Sequence, residues 1–199
     1  MSATDAGGGV DSRCVESERV EGGVRAGAPD PRQPEPDEGR RRADTNGQPP
    51  LLVMLDGIQD PHNLGAIART ADAAGAHGLI IPERRAVGIT AGAVRASAGA
   101  LEHVKVSRVT NLNRTIERLK ETGMTVVGLD AEGDVEYTEA DYKGPVLIVI
   151  GSEGNGLSRL VRDNCDQIAS IPMAGKLSSL NASVSAGLVL YEAFRQRRV

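Results

Sequence analysis

Residues 51–199 predict an α/β fold with a mostly parallel sheet flanked by helices, and three observations carry that prediction. The apolar runs LLVML (51–55), LIIP (79–82) and VLIVI (146–150) are short and nearly continuous, without the alternation of a half-exposed strand. Stretches with helical spacing separate them, so strand and helix alternate along the chain. Polar, glycine-rich segments follow several of the strands, where open parallel sheets hold their ligands.

Taken in order, LLVML is a strand and NLGAIARTADAAGA (63–76) a helix, with Leu64, Ile67 and Ala71 on one face and Asn63 able to cap it. LIIP is the second strand. TAGAVRASAGALE (90–102) predicts a weaker helix rich in Ala and Gly, and VKVSRV (104–109) a strand. NLNRTIERLKETG (111–123) is the clearest helix: Asn111 caps it, Leu112, Ile116 and Leu119 share a face, and Gly123 stops it. TVVGLD (125–130) and VLIVIG (146–151) are strands, LSRLVRDNC (157–165) a helix, and QIASIPM (167–173) a short strand. The chain closes on a helix over 178–198, with Val184, Leu188 and Tyr191 on one face.

Residues 1–50 read differently. They contain no Leu, Ile, Phe, Tyr or Trp, but eight Gly and six Pro, with 10 acidic residues and 7 arginines. Such a stretch buries too little apolar surface to offset the entropy of ordering it, so a disordered tail is expected up to Pro50. Residues 51–199 carry 17 acidic and 16 basic residues, a net −1, in a domain long enough for a core. That balance excludes a global electrostatic signature of nucleic-acid binding and leaves a local patch as the only route to one. Arg84, Arg85, Arg95, Arg195, Arg197 and Arg198 are the candidates for phosphate contacts, each also readable as a solvated charge.

Two cysteines, Cys14 and Cys165, support no disulfide framework, and His62, His77 and His103 lack metal-ligand spacing, so no metal is expected. The start of the chain has no basic-then-apolar leader and no run approaches a membrane span, so a reducing cytoplasm is the expected setting.

Three loops hold the chemistry. DGIQDPHN (56–63) follows the first strand, with Arg69 six residues beyond Asn63, roughly 600° of helical rotation away. Asn63 could be a simple cap, Arg69 a solvated charge, and Asp60 and His62 turn residues. GSEGNGL (151–157) leaves VLIVI through three glycines, more than a plain turn needs, and suits a ligand that approaches bare backbone. It lacks the G-K-[ST] of a P-loop, and no G-x-G-x-x-G follows the first strand. IPMAGKLSSLN (171–181) leads into the last helix with Ser178, Ser179, Asn181, Ser183 and Ser185, more small polar residues than one cap requires.

Together these blocks resemble the SpoU family of RNA ribose 2′-O-methyltransferases, of the SPOUT class. LDGIQDPHNLGAIARTADAAGAHGLIIP, VLIVIGSEGNGLSRLVRDNCDQIASIPM and KLSSLNASVSAGLVLYEAFRQR are similar to its three motifs, in order, across nearly all of 51–199. The resemblance implies S-adenosyl-L-methionine as methyl donor, a C-terminal trefoil knot, and a homodimer whose site both subunits complete. Carried over by position, Asn63, Arg69, Glu153, Ser179 and Asn181 would be catalytic, with Gly151, Gly154, Ile171 and Leu180 at the cofactor. Arg69 would either accept the ribose hydroxyl proton or stay charged and stabilise the alkoxide. DPHNLGA, IPMAG and SSLNASV point to the branch that methylates a guanosine of 23S ribosomal RNA; a transfer-RNA ribose methyltransferase and an idle RNA-binding module are the alternatives. The folded N-terminal RNA-binding domain of that branch is not resembled by residues 1–50. The expectation is RNA binding through the catalytic domain alone, or a misplaced start or frame in the gene.

Overall fold

The structure is a computed structural model that describes residues 47–84 and 88–198. The tail expected over residues 1–50 therefore lies, except for 47–50, outside the described residues, as do Cys14 and Arg85.

Seven strands form one sheet in the order β3-β2-β1-β6-β4-β7-β5, and every neighbouring pair is parallel. They are β1 (Leu51–Asp56), β2 (Gly78–Pro82), β3 (Val106–Val109), β4 (Thr125–Leu129), β5 (Val135–Glu136), β6 (Val146–Gly151) and β7 (Gln167–Ser170). The helices are α1 (Pro61–Ala73), α2 (Ala91–Ser97), α3 (Ala100–His103), α4 (Leu112–Glu121), α5 (Arg159–Asp163) and α6 (Ala182–Arg197).

The continuous apolar runs have a direct physical cause: both faces of the sheet are covered. Leu51, Val53 and Leu55 of β1 pack with Ile67 and Ala71 of α1 and Val189 and Leu190 of α6. The intervening Leu52 and Met54 pack on the other face with Ile116 and Leu119 of α4 and Val161 of α5. Each fully buried side chain of this size contributes roughly 1.5–3 kcal/mol, so neither face of β1 tolerates a polar residue. His77 belongs to this core: its buried ring accepts at Nδ1 from the Leu51 amide at 3.1 Å, while its own amide donates to the Leu51 carbonyl at 2.8 Å.

Topology positions the site. From β1 the chain runs outward through β2 and β3, then crosses over to β4 and returns to insert β6 beside β1. Strand order thus reverses between β1 and β6, the place where open α/β sheets leave a crevice at their carboxyl ends. The register sets Asp56 opposite Gly151 at that crevice.

The structure departs from the sequence reading at several points, including the strand expected over 167–173, which ends at Ser170. The helix expected over 90–102 is two helices, broken where Ala98 (φ 49°) and Gly99 (φ 90°) turn left-handed. The first helix starts at Pro61 with Asp60 as its cap, so Asn63 lies inside the first turn rather than at the cap. The last helix starts at Ala182, capped by Asn181, which leaves Ser178 and Ser179 in the preceding loop. β5, a two-residue edge strand along β7, was not anticipated.

Candidate active site

The loop after β6 folds back on itself. Ser152 and Gly156 exchange both backbone hydrogen bonds at 3.0 Å, which closes a tight turn around Glu153, Gly154 and Asn155. Gly151 has to be glycine: a Cβ there would lie 2.3 Å from the Gly156 carbonyl carbon and 2.6 Å from the Leu157 nitrogen. Gly156, at φ 61°, passes so near Asp130 that a Cβ would lie 2.4 Å from its Oδ2.

The turn holds Glu153 against the starts of two helices. Glu153 Oε1 accepts from Asn63 Nδ2 at 2.9 Å, from the Ala182 amide at 3.2 Å and from Asn181 Nδ2. Asn181 Nδ2 also donates to Asn63 Oδ1 at 3.0 Å. Asn181 Oδ1 meanwhile caps α6, accepting from the amides of Ser183 at 2.9 Å and Val184 at 3.3 Å. One carboxylate therefore joins the three segments that the sequence singled out, at the N-terminal end of α6, where the helix dipole favours negative charge. Glu153 Oε2 has no hydrogen-bond partner among the described residues.

Beside this cluster lies an open cavity of about 370 Å³. Its lining includes Gly151, Glu153, Gly154, Ile171, Ser179 and Leu180, six of the nine residues singled out from the sequence. Asn63 and Asn181 reach it only through Glu153. Arg69 does not line it. Arg69 lies exposed on α1, and no hydrogen bond or ion pair among the described residues holds its side chain. It precedes Thr70, which lines a shallow groove with Gly187, Leu188 and Tyr191 of α6.

Among the residues of the cavity wall that sequence reasoning missed are Asp130 and Arg162. A signal was available for the first, because TVVGLD places Asp130 at the carboxyl end of a strand. Three arginines singled out as possible phosphate contacts are engaged elsewhere. Arg197 donates to four backbone carbonyls, Arg195 pairs with Glu192 at 2.7 Å, and the Arg198 guanidinium sits 5.2 Å from the centre of the Phe194 ring. Arg84 and Arg95 are exposed.

Comparison with known proteins places this architecture. The chain is 57% identical over 163 residues to an uncharacterized tRNA/rRNA methyltransferase of Mycobacterium sp. (strain KMS), covering 82% of this chain and 52% of that one. It is 53% identical over 157 residues to YacO of Bacillus subtilis (strain 168), whose name assigns it to the TrmH family of tRNA/rRNA methyltransferases, covering 79% of this chain and 63% of YacO. The chain thus spans less than two thirds of the length of these relatives. Among solved structures, the SpoU methyltransferase AviRb from Streptomyces viridochromogenes in complex with AdoMet superposes with a TM-score of 0.71 at 39% identity, over 75% of this chain and 61% of that one. The A. aeolicus TrmH/SpoU tRNA modifying enzyme superposes with a TM-score of 0.70 at 31% identity, over 80% of this chain and 84% of that one. The SpoU rRNA Methylase family matches residues 50–191, which take in every strand of the sheet and all of its carboxyl-end loops, and the chain belongs to that family.

Proposed function

We propose that this chain is an S-adenosyl-L-methionine-dependent RNA methyltransferase that acts on a ribose 2′-hydroxyl, with a guanosine of 23S ribosomal RNA as its substrate. The observation that carries the reading is Glu153, whose carboxylate ties Asn63 and Asn181 together at the rim of a glycine-walled cavity. An idle RNA-binding module would have no need to keep that cluster.

The residues present suit the donor. A cavity of this volume admits a nucleoside-sized ligand. The close turn at Gly151 presents backbone where a side chain would intrude. Gly151, Gly154, Ile171 and Leu180 would hold the cofactor through main-chain groups, with Ser179 beside them. When bound, S-adenosylmethionine supplies a methyl group on a positively charged sulfur. The chain's own task is to align a ribose hydroxyl and to manage its proton. A guanidinium ordinarily keeps its proton, so Arg69 suits stabilisation of negative charge on the ribose 2′-oxygen better than proton removal. Glu153 fixes the positions of Asn63 and Asn181 and leaves Oε2 available.

The same reading makes residues 51–199 the catalytic domain and the cytoplasm the setting. No helix among the described residues is long and apolar enough to cross a membrane. A C-terminal trefoil knot fits the seating of Asn181, at the start of α6, against Glu153 in the loop after β6. A homodimer fits the exposed face of α6, where Val184 is 50% and Tyr191 51% accessible. A second copy packed there would bury an apolar stripe beside Arg69, which lies outside this chain's own cavity.

A second reading, transfer RNA as substrate, is favoured by one observation: this chain covers 84% of the A. aeolicus tRNA modifying enzyme, more than of the larger relatives. The test is transfer of labelled methyl from S-adenosylmethionine to unmodified 23S rRNA and separately to bulk tRNA, followed by mapping of 2′-O-methylation. Labelling of 23S rRNA alone supports the first reading and labelling of tRNA alone the second. Methylation mapped to a base overturns the ribose assignment.

A further inference from the structure

We infer that Asp130 is a positioning residue that sets the shape of the cofactor loop, with Arg162 as its partner; this rests on the reading of the cavity as the donor site. Asp130 follows β4 and its side chain is only 10% exposed. Its Oδ2 accepts from the Leu157 amide at 3.2 Å, at the point where the glycine turn ends. Its Oδ1 accepts from Arg162 Nη1 at 3.1 Å and from the Glu132 amide at 3.1 Å. Arg162 is held in turn by the Glu132 carbonyl, which accepts from Nη2 at 2.9 Å. The Asp130 amide donates to the Ala169 carbonyl at 3.0 Å, so the carboxylate is mounted on the sheet itself.

The turn of residues 151–157 is thus held at two points. Glu153 fixes its outer limb against the starts of α1 and α6. Asp130 fixes its return limb against the strand ends, and Asp130 and Arg162 both line the cavity. A loop that binds through backbone groups depends on both, because its donors and acceptors are only as well placed as the chain that carries them. Gly156 and Asp130 fit as a pair: the glycine leaves the room that the carboxylate fills.

The experiment uses the full chain. Calorimetry measures binding of S-adenosylmethionine and S-adenosylhomocysteine to wild type, Asp130→Ala, Asp130→Asn and Arg162→Ala, alongside kcat at saturating donor and the melting temperature. The expected result is a Kd raised about tenfold or more in Asp130→Ala, for donor and product alike, with kcat within about threefold of wild type. Asp130→Asn keeps an acceptor for the Leu157 amide and should restore part of the affinity, and Arg162→Ala should fall between. Hydrogen exchange of the Leu157 amide in the ligand-free protein should quicken in Asp130→Ala. A folded Asp130→Ala with wild-type Kd and wild-type exchange overturns the inference. So does a loss of kcat that only follows the loss of folded protein. If wild type binds neither ligand, the donor-site reading falls on its own, and the exchange experiment still decides whether Asp130 orders the loop.

Discussion

Helix α6 carries a polar network at each end, and the two differ in what they leave unfinished. At its N-terminal end, Glu153 uses one oxygen on Asn63, Asn181 and Ala182 and leaves the other without a partner among the described residues, beside an open cavity. At its C-terminal end both oxygens of the Glu192 carboxylate are engaged. Glu192 accepts from Arg195 at both oxygens and from Gln196 at one, and the Arg195 hydrogen bonds hold its carboxyl below the usual carboxylate range against the opposing pull of burial. Gln196 accepts from the Tyr142 amide and donates to the Ala140 carbonyl. Arg197 donates to the carbonyls of Pro49, Pro50, Tyr142 and Gly144. Burial lowers its guanidinium to about 10, still far enough above neutrality for it to remain a cation. The contrast between Arg197 and Arg69 is the instructive one. A saturated arginine holds a fold together, whereas one with no partner among the described residues is available to a substrate.

The largest expected effect breaks the open end. Arg69→Ala should reduce methyl transfer by about 10³-fold, the scale of losing a group aimed at developing charge. It should leave donor affinity and melting temperature close to wild type, because no described interaction depends on Arg69. Single-turnover methylation and calorimetry check this. A loss of donor binding would show that Arg69 shapes the cavity instead.

Next comes the saturated end. Arg197→Ala strips donors from four carbonyls that join the residues before β1, the segment before β6 and the end of α6. The expected cost is about 2–4 kcal/mol of stability, read by urea denaturation, with the turnover of the folded fraction unchanged. Arg197→Lys should recover little, since one ammonium cannot reproduce the guanidinium fork. If Arg197→Ala spared stability and cut methylation, the two ends would have to exchange roles.

The sequence told part of this story. VLIVI and LLVML read as buried parallel strands because both faces of the sheet are covered, and continuous apolar runs report that condition directly. GSEGNGL read as a backbone-presenting loop, and two of its glycines, Gly151 and Gly156, leave no room for a side chain. The break at Ala98 was hidden: alanine is the best helix former, and its left-handed φ of 49° runs against that preference. The cap at Asp60 was legible in Asp-Pro, since proline suits the first helical position, but Asn63 was the more conspicuous residue. The division of labour among the arginines was not legible at all. Composition counts charges but does not reveal which carbonyls lie without partners within reach of each one.

The smallest expected effect separates two jobs within one residue. Asn181 caps α6 through Oδ1 and links Asn63 to Glu153 through Nδ2. Asn181→Asp keeps the shape and an equally good capping oxygen, and adds a negative charge that the helix N-terminus favours. It removes both Nδ2 donors and sets a second carboxylate against Glu153. Stability should therefore stay within about 1 kcal/mol of wild type. Donor affinity or turnover should fall by about tenfold, the order of one lost charge-assisted hydrogen bond. The Glu153→Gln, Asn181→Asp double variant relieves the repulsion and supplies an amide donor from the other side, so it should recover part of the loss. A mere cap predicts the opposite pattern: Asn181→Asp with full activity, and no coupling between positions 153 and 181 when the two single variants are compared with the double.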